Sequence, residues 1–132
     1  MGMSMTSRGA ILVVDDEKEI CTLLERALAR FSYQVITAAS GEQALDIIKS
    51  NDNIHLVLSD IRMPKTTGID LLRETRKIKP ELPIVLMTGY GGVDQYFEVM
   101  NMGASEYLTK PFKIYDLIRA IKTALKVPCS TS

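Results

Sequence analysis

The feature that most constrains the fold of this chain is a regular alternation between short strand-like runs and segments of helical periodicity. Five runs of aliphatic and β-branched residues have the length of strands: Ala10–Val14, Gln34–Ala38, Ile54–Ser59, Pro83–Met87 and Glu106–Thr109. After each run, apolar residues recur at intervals of three and four, which is typical of a helix with one buried face. Strands that alternate with helices form a parallel sheet, because right-handed crossovers place the helices on both faces.

We therefore predict a doubly wound α/β fold, in which a parallel five-stranded sheet forms a flavodoxin-like (βα)5 sandwich with the strand order 2-1-3-4-5. The pattern also predicts details of two helices. Ser40, with Gln43 three residues later, has the form of a capping box that begins the second helix. The third helix is expected to turn Ile69, Leu72 and Ile78 towards the core.

Length and charge limit the function. The chain has 132 residues, the size of one domain, and we expect that domain to span residues 10–126, between a flexible N-terminus (residues 1–9) and a tail (residues 127–132). Its 16 basic and 16 acidic side chains balance, which argues against direct nucleic-acid contact.

No apolar run approaches the ~20 residues that span a bilayer. No signal peptide is recognisable, and Gly2 fits a myristoylation pattern too loose to carry weight. We expect a cytoplasmic protein.

Chemistry-bearing side chains follow four of the five predicted strands. Asp15 and Asp16 follow the first strand, Asp60 the third, Thr88 the fourth and Lys110 the fifth. In a doubly wound fold, ligands bind at the carboxyl ends of the strands, beside the switch point between the first and third strands. The three carboxylates should therefore converge.

Converging carboxylates repel one another, and a hard cation with oxygen ligands, such as Mg²⁺, relieves that repulsion. With a lysine and a hydroxyl nearby, the set is suited to phosphoryl transfer, whose transition state is stabilised mainly by charge and positioning. Each residue also has a purely structural interpretation; Asp16 and Glu19, for example, could form a capping box that begins the first helix. Because suitable side chains follow four strands of one sheet, a shared functional site explains their positions better than coincidence does.

Four motifs resemble the receiver domains of two-component response regulators. They are ILVVDDE at the first strand, LVLSDIRMPKTTGIDLL at the third, IVLMTGY at the fourth and GASEYLTKPF around the fifth, within a resemblance that spans residues 10–125. The sequences of the third and fourth motifs are similar to those of receivers of the nitrogen-regulation type, which precede an ATPase and a DNA-binding domain.

The resemblance implies a role for each residue of the site. Asp60 matches the phosphoacceptor, which takes a phosphoryl group from the phosphohistidine of a kinase. Asp15 and Asp16 match the acidic pair that binds Mg²⁺, and Asp60 and the backbone carbonyl of Arg62 complete the protein ligands. Lys110 matches the lysine that pairs with the phosphoryl oxygens.

The resemblance also implies a conformational switch. Thr88 matches the hydroxyl that moves to the phosphoryl group, and Tyr107 matches the aromatic residue that turns into the space Thr88 vacates. Pro111 matches a proline whose peptide bond with Lys110 is usually cis. The movement is expected to change the surface of the fourth helix, fifth strand and fifth helix, through which a homodimer could form.

The bulky residues Arg62 and Tyr90 border the expected path of the hydrolytic water. A contact between them is expected to lengthen the lifetime of the phosphorylated form, although Gly91 and Gly92 could let Tyr90 swing away. A cation–π contact of this kind contributes about 0.5–1 kcal/mol at an exposed site.

The resemblance implies a signalling switch rather than an enzyme: it catalyses only its own phosphorylation and dephosphorylation. Its expected partners are a sensor histidine kinase or phosphotransfer protein and an output domain or downstream protein. The main alternative is a degenerate receiver that binds proteins independently of phosphorylation. A haloacid-dehalogenase phosphatase would need an acid at Arg62, and a flavin-binding flavodoxin would need a phosphate-cradling loop where Asp15, Asp16 and Glu17 stand.

Overall fold

The computed structural model of the protein describes residues 9–89 and 91–126. The predictions for the N-terminus including Gly2, for Tyr90 and for the tail lie outside the described residues. The strands are β1 (Ala10–Val14), β2 (Gln34–Ala38), β3 (Ile54–Asp60), β4 (Ile84–Thr88) and β5 (Glu106–Thr109). The helices are α1 (Lys18–Ala29), α2 (Gly41–Ser50), α3 (Gly68–Ile78), α4 (Val93–Asn101) and α5 (Ile114–Lys126).

The strands form one parallel sheet in the order β2-β1-β3-β4-β5, which confirms the predicted fold. Every residue of β1 and β4 is buried, because helices cover both faces of the sheet. One apolar cluster joins the sheet to α2, α3 and α4, and a second joins it to α1 and α5. Among the described residues, no helix is long and apolar enough to span a membrane.

The sequence prediction for the inner face of α3 is partly wrong. Leu72 is fully buried and Ile69 is half-buried, but Ile78 is 42% exposed, and the fully buried Leu71 was missed. Ile78 lies in the last turn of α3, beside an open cavity of about 400 Å³ that His55 also lines. The helix here has reached the amino-terminal edge of the sheet, so periodicity alone does not bury its last apolar residue.

The N-termini of α1 and α2 differ from the predicted capping boxes. Ser40 caps α2, since its hydroxyl accepts a hydrogen bond from the Gln43 amide (3.1 Å), but the Gln43 side chain accepts from the amide of Ala39 rather than that of Ser40. The N-cap residue of α1 is Glu17, whose side chain makes no capping hydrogen bond. The structural interpretation of Asp16 as a helix cap is therefore wrong, because the helix begins one residue later.

Candidate functional site

Three carboxylates meet at the carboxyl edge of the sheet. β1 and β3 are neighbours, and Val14 pairs with Ser59, so the residues that follow them, Asp15 and Asp60, lie side by side. One oxygen of each of Asp15, Asp16 and Asp60 lies within 4.8 Å of the others. The predicted convergence of the carboxylates is thus present in the structure.

Asp15 is the most deeply buried member of this cluster. Its side chain is inaccessible to solvent, and one oxygen, Oδ1, accepts a hydrogen bond from the Glu17 amide at 2.9 Å. The other oxygen, Oδ2, is buried and has no hydrogen-bond partner among the described residues. The pKa of Asp15 is raised from 3.8 to about 6, mainly by burial and in part by the charge of Asp60, although the Glu17 amide and Lys110 lower it. Burying a charged carboxylate oxygen without a hydrogen bond costs free energy unless a nearby positive charge or a proton neutralises it.

Asp60 is also largely buried, whereas Asp16 is open to solvent. Asp60 is the last residue of β3, and its Oδ1 accepts a hydrogen bond from the backbone amide of Arg62 at 3.3 Å. The cluster therefore has a buried floor and an open, acidic mouth through which a small ligand could enter.

Lys110 supplies the opposite charge. Its ammonium lies 3.4 Å from Asp60 Oδ2 and 3.9 Å from Asp15 Oδ2. The second distance joins opposite charges but is too long for a hydrogen bond, so Asp15 Oδ2 keeps an unmet need for a donor or cation. The Lys110 amide donates to the Thr88 carbonyl at 2.7 Å, and the Lys110–Pro111 peptide bond is cis.

Thr88 and Tyr107 lie on neighbouring strands beside the carboxylates. Thr88 ends β4 and is fully buried, whereas Tyr107 lies on β5 and is half-buried. The Tyr107 hydroxyl donates a hydrogen bond to Oε1 of Gln95 on α4 at 2.7 Å. The sequence analysis did not identify Gln95, since residues 95 and 107 share no motif.

Two further residues contact the backbone of the site, and the sequence analysis assigned neither of them a role there. Cys21 of α1 is buried, and its thiol lies 3.4 Å from the Asp15 carbonyl as a weak donor. Gly68 begins α3 against the end of β3, where an added Cβ would overlap the Asp60 carbonyl and approach the Ile61 Cα to 2.8 Å. For Gly68, the only signal in the sequence was the presence of a glycine shortly after the aspartate that ends a strand.

The cluster fits a small hard cation. Its donors are carboxylate oxygens, which Mg²⁺ prefers, and the exposed mouth leaves room for retained water molecules. Asp15 Oδ2 accepts no hydrogen bond among the described residues and has its nearest ammonium, that of Lys110, 3.9 Å away, which favours a cation at the floor of the site. Arg62 is exposed beside the mouth; because Tyr90 lies outside the described residues, the contact between the two residues stays a prediction.

The fold and this site define a class: doubly wound signalling domains with an acidic cluster and a lysine at the carboxyl edge of the sheet. The chain belongs to one family of that class, the response regulator receiver domains, whose family model matches residues 11–122. It is thus a receiver domain of a two-component response regulator.

Relatives with solved structures and with assigned names support this membership. A response regulator receiver domain protein from Clostridium thermocellum superposes with a TM-score of 0.85 at 39% identity, covering 89% of this chain and 94% of that one. The transcriptional regulatory protein CpxR of Escherichia coli is 38% identical over 116 residues, which are 88% of this chain and 49% of CpxR. The transcriptional regulatory protein ZraR of Escherichia coli is 38% identical over 115 residues, which are 87% of this chain and 26% of ZraR. The chain therefore spans at most about half the length of these two regulators.

Proposed function

We propose that this receiver domain is a phosphorylation-controlled switch whose phosphoacceptor is Asp60. The observation that carries the proposal is the position of the Asp60 carboxylate, which lies between the Lys110 ammonium at 3.4 Å and the partly buried acidic pair. A carboxylate held beside an ammonium group in a charged pocket is suited to be the nucleophile, because the pocket stabilises the charge that develops on the transferred group.

The reaction consists of one displacement at phosphorus. A carboxylate oxygen of Asp60 forms a bond to the phosphorus of a phosphohistidine, and the bond from phosphorus to the imidazole nitrogen breaks. The imidazole leaves with the electron pair and takes up a proton. The Lys110 ammonium pairs with the oxygens of the transferred group, since it already lies 3.4 Å from an oxygen of the Asp60 nucleophile.

The residues that would hold Mg²⁺ are Asp15, Asp16, Asp60 and the backbone carbonyl of Arg62. The bound ion would supply positive charge to the phosphoryl oxygens and would relieve the repulsion among the carboxylates. Asp15 anchors this arrangement, because the Glu17 amide fixes one of its oxygens and leaves the other available.

The output follows from the position of Thr88 and Tyr107 between the site and α4. In the proposed switch, Thr88 moves to the phosphoryl group and Tyr107 turns into the space that Thr88 vacates. Phosphorylation then favours whichever pre-existing state of the α4, β5 and α5 surface binds the phosphoryl group better. The phosphodonor is proposed to be a histidine kinase or a phosphotransfer protein. Because the matched relatives are named transcriptional regulators, we propose transcription control as the output, with a homodimer through this surface as one form of it.

The test is incubation of the purified protein with Mg²⁺ and acetyl phosphate, followed by intact mass measurement. We expect one added phosphoryl group in the wild type, none in Asp60→Asn and none when EDTA removes the metal. Asp46→Asn is the matched control, since Asp46 is an exposed aspartate of α2, and it should be phosphorylated like the wild type.

Phosphorylation of Asp60→Asn to the same stoichiometry would contradict the assignment of Asp60. If the wild type remained unmodified with every donor, the alternative of a degenerate receiver that only binds proteins would be favoured instead.

A further inference from the structure

The hydroxyl of Tyr107 is held on α4. It donates a 2.7 Å hydrogen bond to Oε1 of Gln95, and the Tyr107 ring packs edge-to-face against Tyr96 with centroids 5.7 Å apart and planes at 79°. Burial raises the pKa of Tyr107 above its usual value of 10.0, so the phenol stays protonated and remains a donor at neutral pH. Two adjacent residues of one helix therefore hold both the polar tip and the ring.

This position of Tyr107 depends on a glycine in the loop before α4. A Cβ added at Gly91 would overlap the Tyr107 hydroxyl and would lie 2.8 Å from Cγ2 of Thr88. The missing side chain at residue 91 therefore leaves the space in which the hydroxyl reaches Gln95. Thr88 itself is fully buried beside this space, so Tyr107 cannot occupy the position of Thr88 in this conformation.

We propose that Gln95, Tyr96 and Gly91 form a latch that holds Tyr107 on α4 and thereby stabilises the unphosphorylated conformation. The Gln95–Tyr107 latch rests on the proposed function, in which Tyr107 leaves this position when Asp60 is phosphorylated. Movement of Tyr107 breaks the hydrogen bond to Gln95, so the latch opposes activation by the free energy of that bond.

The latch predicts opposite effects of two substitutions at one position. Gln95→Leu removes the acceptor at similar size, so the activated conformation becomes easier to reach. Gln95→Glu keeps the acceptor and gives it a charge, which strengthens the hydrogen bond. Because a ligand that selects the activated state binds more tightly when that state is more populated, the affinity for a phosphoryl mimic reports the strength of the latch.

The experiment measures the affinity of the Mg²⁺-loaded protein for beryllofluoride by amide chemical-shift titration. We expect Gln95→Leu to bind beryllofluoride about 2- to 10-fold more tightly than the wild type and Gln95→Glu to bind it more weakly by a similar factor, the range that corresponds to one hydrogen bond. Asn101→Leu, at an exposed position of the same helix, is the matched control and should bind like the wild type.

The same substitutions are repeated in a Tyr107→Phe background, which lacks the donor. The effect of Gln95→Leu should vanish there, and any effect of Gln95→Glu that persists reports its charge alone. An unchanged or weaker affinity for Gln95→Leu, or an equal gain in the Tyr107→Phe background, would overturn the latch while leaving the phosphoacceptor proposal intact. Wild-type protein that binds no beryllofluoride would overturn both.

Discussion

At the scale of single residues, Asp15 is a carboxylate that folding removes from water. Its carboxylate is inaccessible to solvent, and one of its oxygens has no hydrogen-bond partner among the described residues. Because burial raises its pKa from 3.8 to about 6, the folded state holds a proton on Asp15 that the unfolded state has released between these pH values. The stabilising contribution of this proton is complete below about pH 3.8 and is lost as the pH rises through about 6.

We predict that Asp15→Asn is more stable than the wild type at pH 7 in the absence of metal, by up to about 3 kcal/mol. Asparagine keeps an oxygen that can accept from the Glu17 amide, but it removes the buried charge. The difference in free energy of unfolding should be small at pH 4 and grow towards pH 7, as measured by urea denaturation in EDTA. Asp46→Asn is the control, and a gain in stability that does not depend on pH would contradict the explanation. In Mg²⁺ the advantage of Asp15→Asn should shrink.

At the scale of elements, the N-terminus of α3 is fitted closely to the end of β3. Thr67 and Asp70 form a reciprocal capping box, with bonds of 3.1 Å to the Asp70 amide and 3.0 Å to the Thr67 amide. The Gly68 amide donates to the Ile61 carbonyl at 2.9 Å, and a side chain at residue 68 would overlap the Asp60 carbonyl. The start of this helix therefore fixes the backbone that carries the candidate phosphoacceptor.

We predict that Gly68→Ala destabilises the protein by about 1–3 kcal/mol, the usual effect of overpacking, although alanine is the better helix former. It should also slow phosphorylation by acetyl phosphate, since the backbone at Asp60 must move. Urea denaturation and intact mass measure the two effects. Gly89→Ala is the matched control, because no described atom lies within 4 Å of a Cβ there, and its stability should stay within about 0.5 kcal/mol of the wild type. Equal effects at both glycines would contradict the steric argument.

At the scale of the whole molecule, the surface formed by α4, β5 and α5 exposes apolar side chains next to the switch. On α4, Val93 is 70% exposed and Phe97 is 57% exposed, whereas Tyr115 of α5, 69% exposed, packs edge-to-face against Phe31 just after the end of α1. Exposed apolar groups of this size on one helix are typical of interaction sites. Tyr107 joins this surface to the sheet beside the site, since it lies on the strand next to β4 and its hydroxyl donates to Gln95 of α4.

We predict that phosphorylation, or beryllofluoride with Mg²⁺, changes amide hydrogen exchange in residues 93–102, 106 and 115–122 as well as around Asp60. The physical reason is that, in the proposed switch, Tyr107 leaves Gln95 of α4 and turns towards the position of Thr88 when the populations of the two states shift. Hydrogen exchange followed by mass spectrometry measures the effect, with Asp60→Asn under the same conditions as the control. Changes confined to the neighbourhood of Asp60 would contradict the switch.

The sequence by itself determined the number, type and order of the elements and the strand-end residues that meet at the site. Strand and helix periods are local properties of the chain, and parallel strands bring their carboxyl ends to one edge, so the convergence of Asp15, Asp60 and Lys110 followed from their positions after strands. Only the tertiary structure decided which groups are buried and which distant side chains meet. Within the described residues it exposed Ile78, left one buried oxygen of Asp15 without a hydrogen bond, and paired Gln95 with Tyr107. The physical reason is that burial and side-chain hydrogen bonds depend on how separate elements pack, which no local pattern encodes.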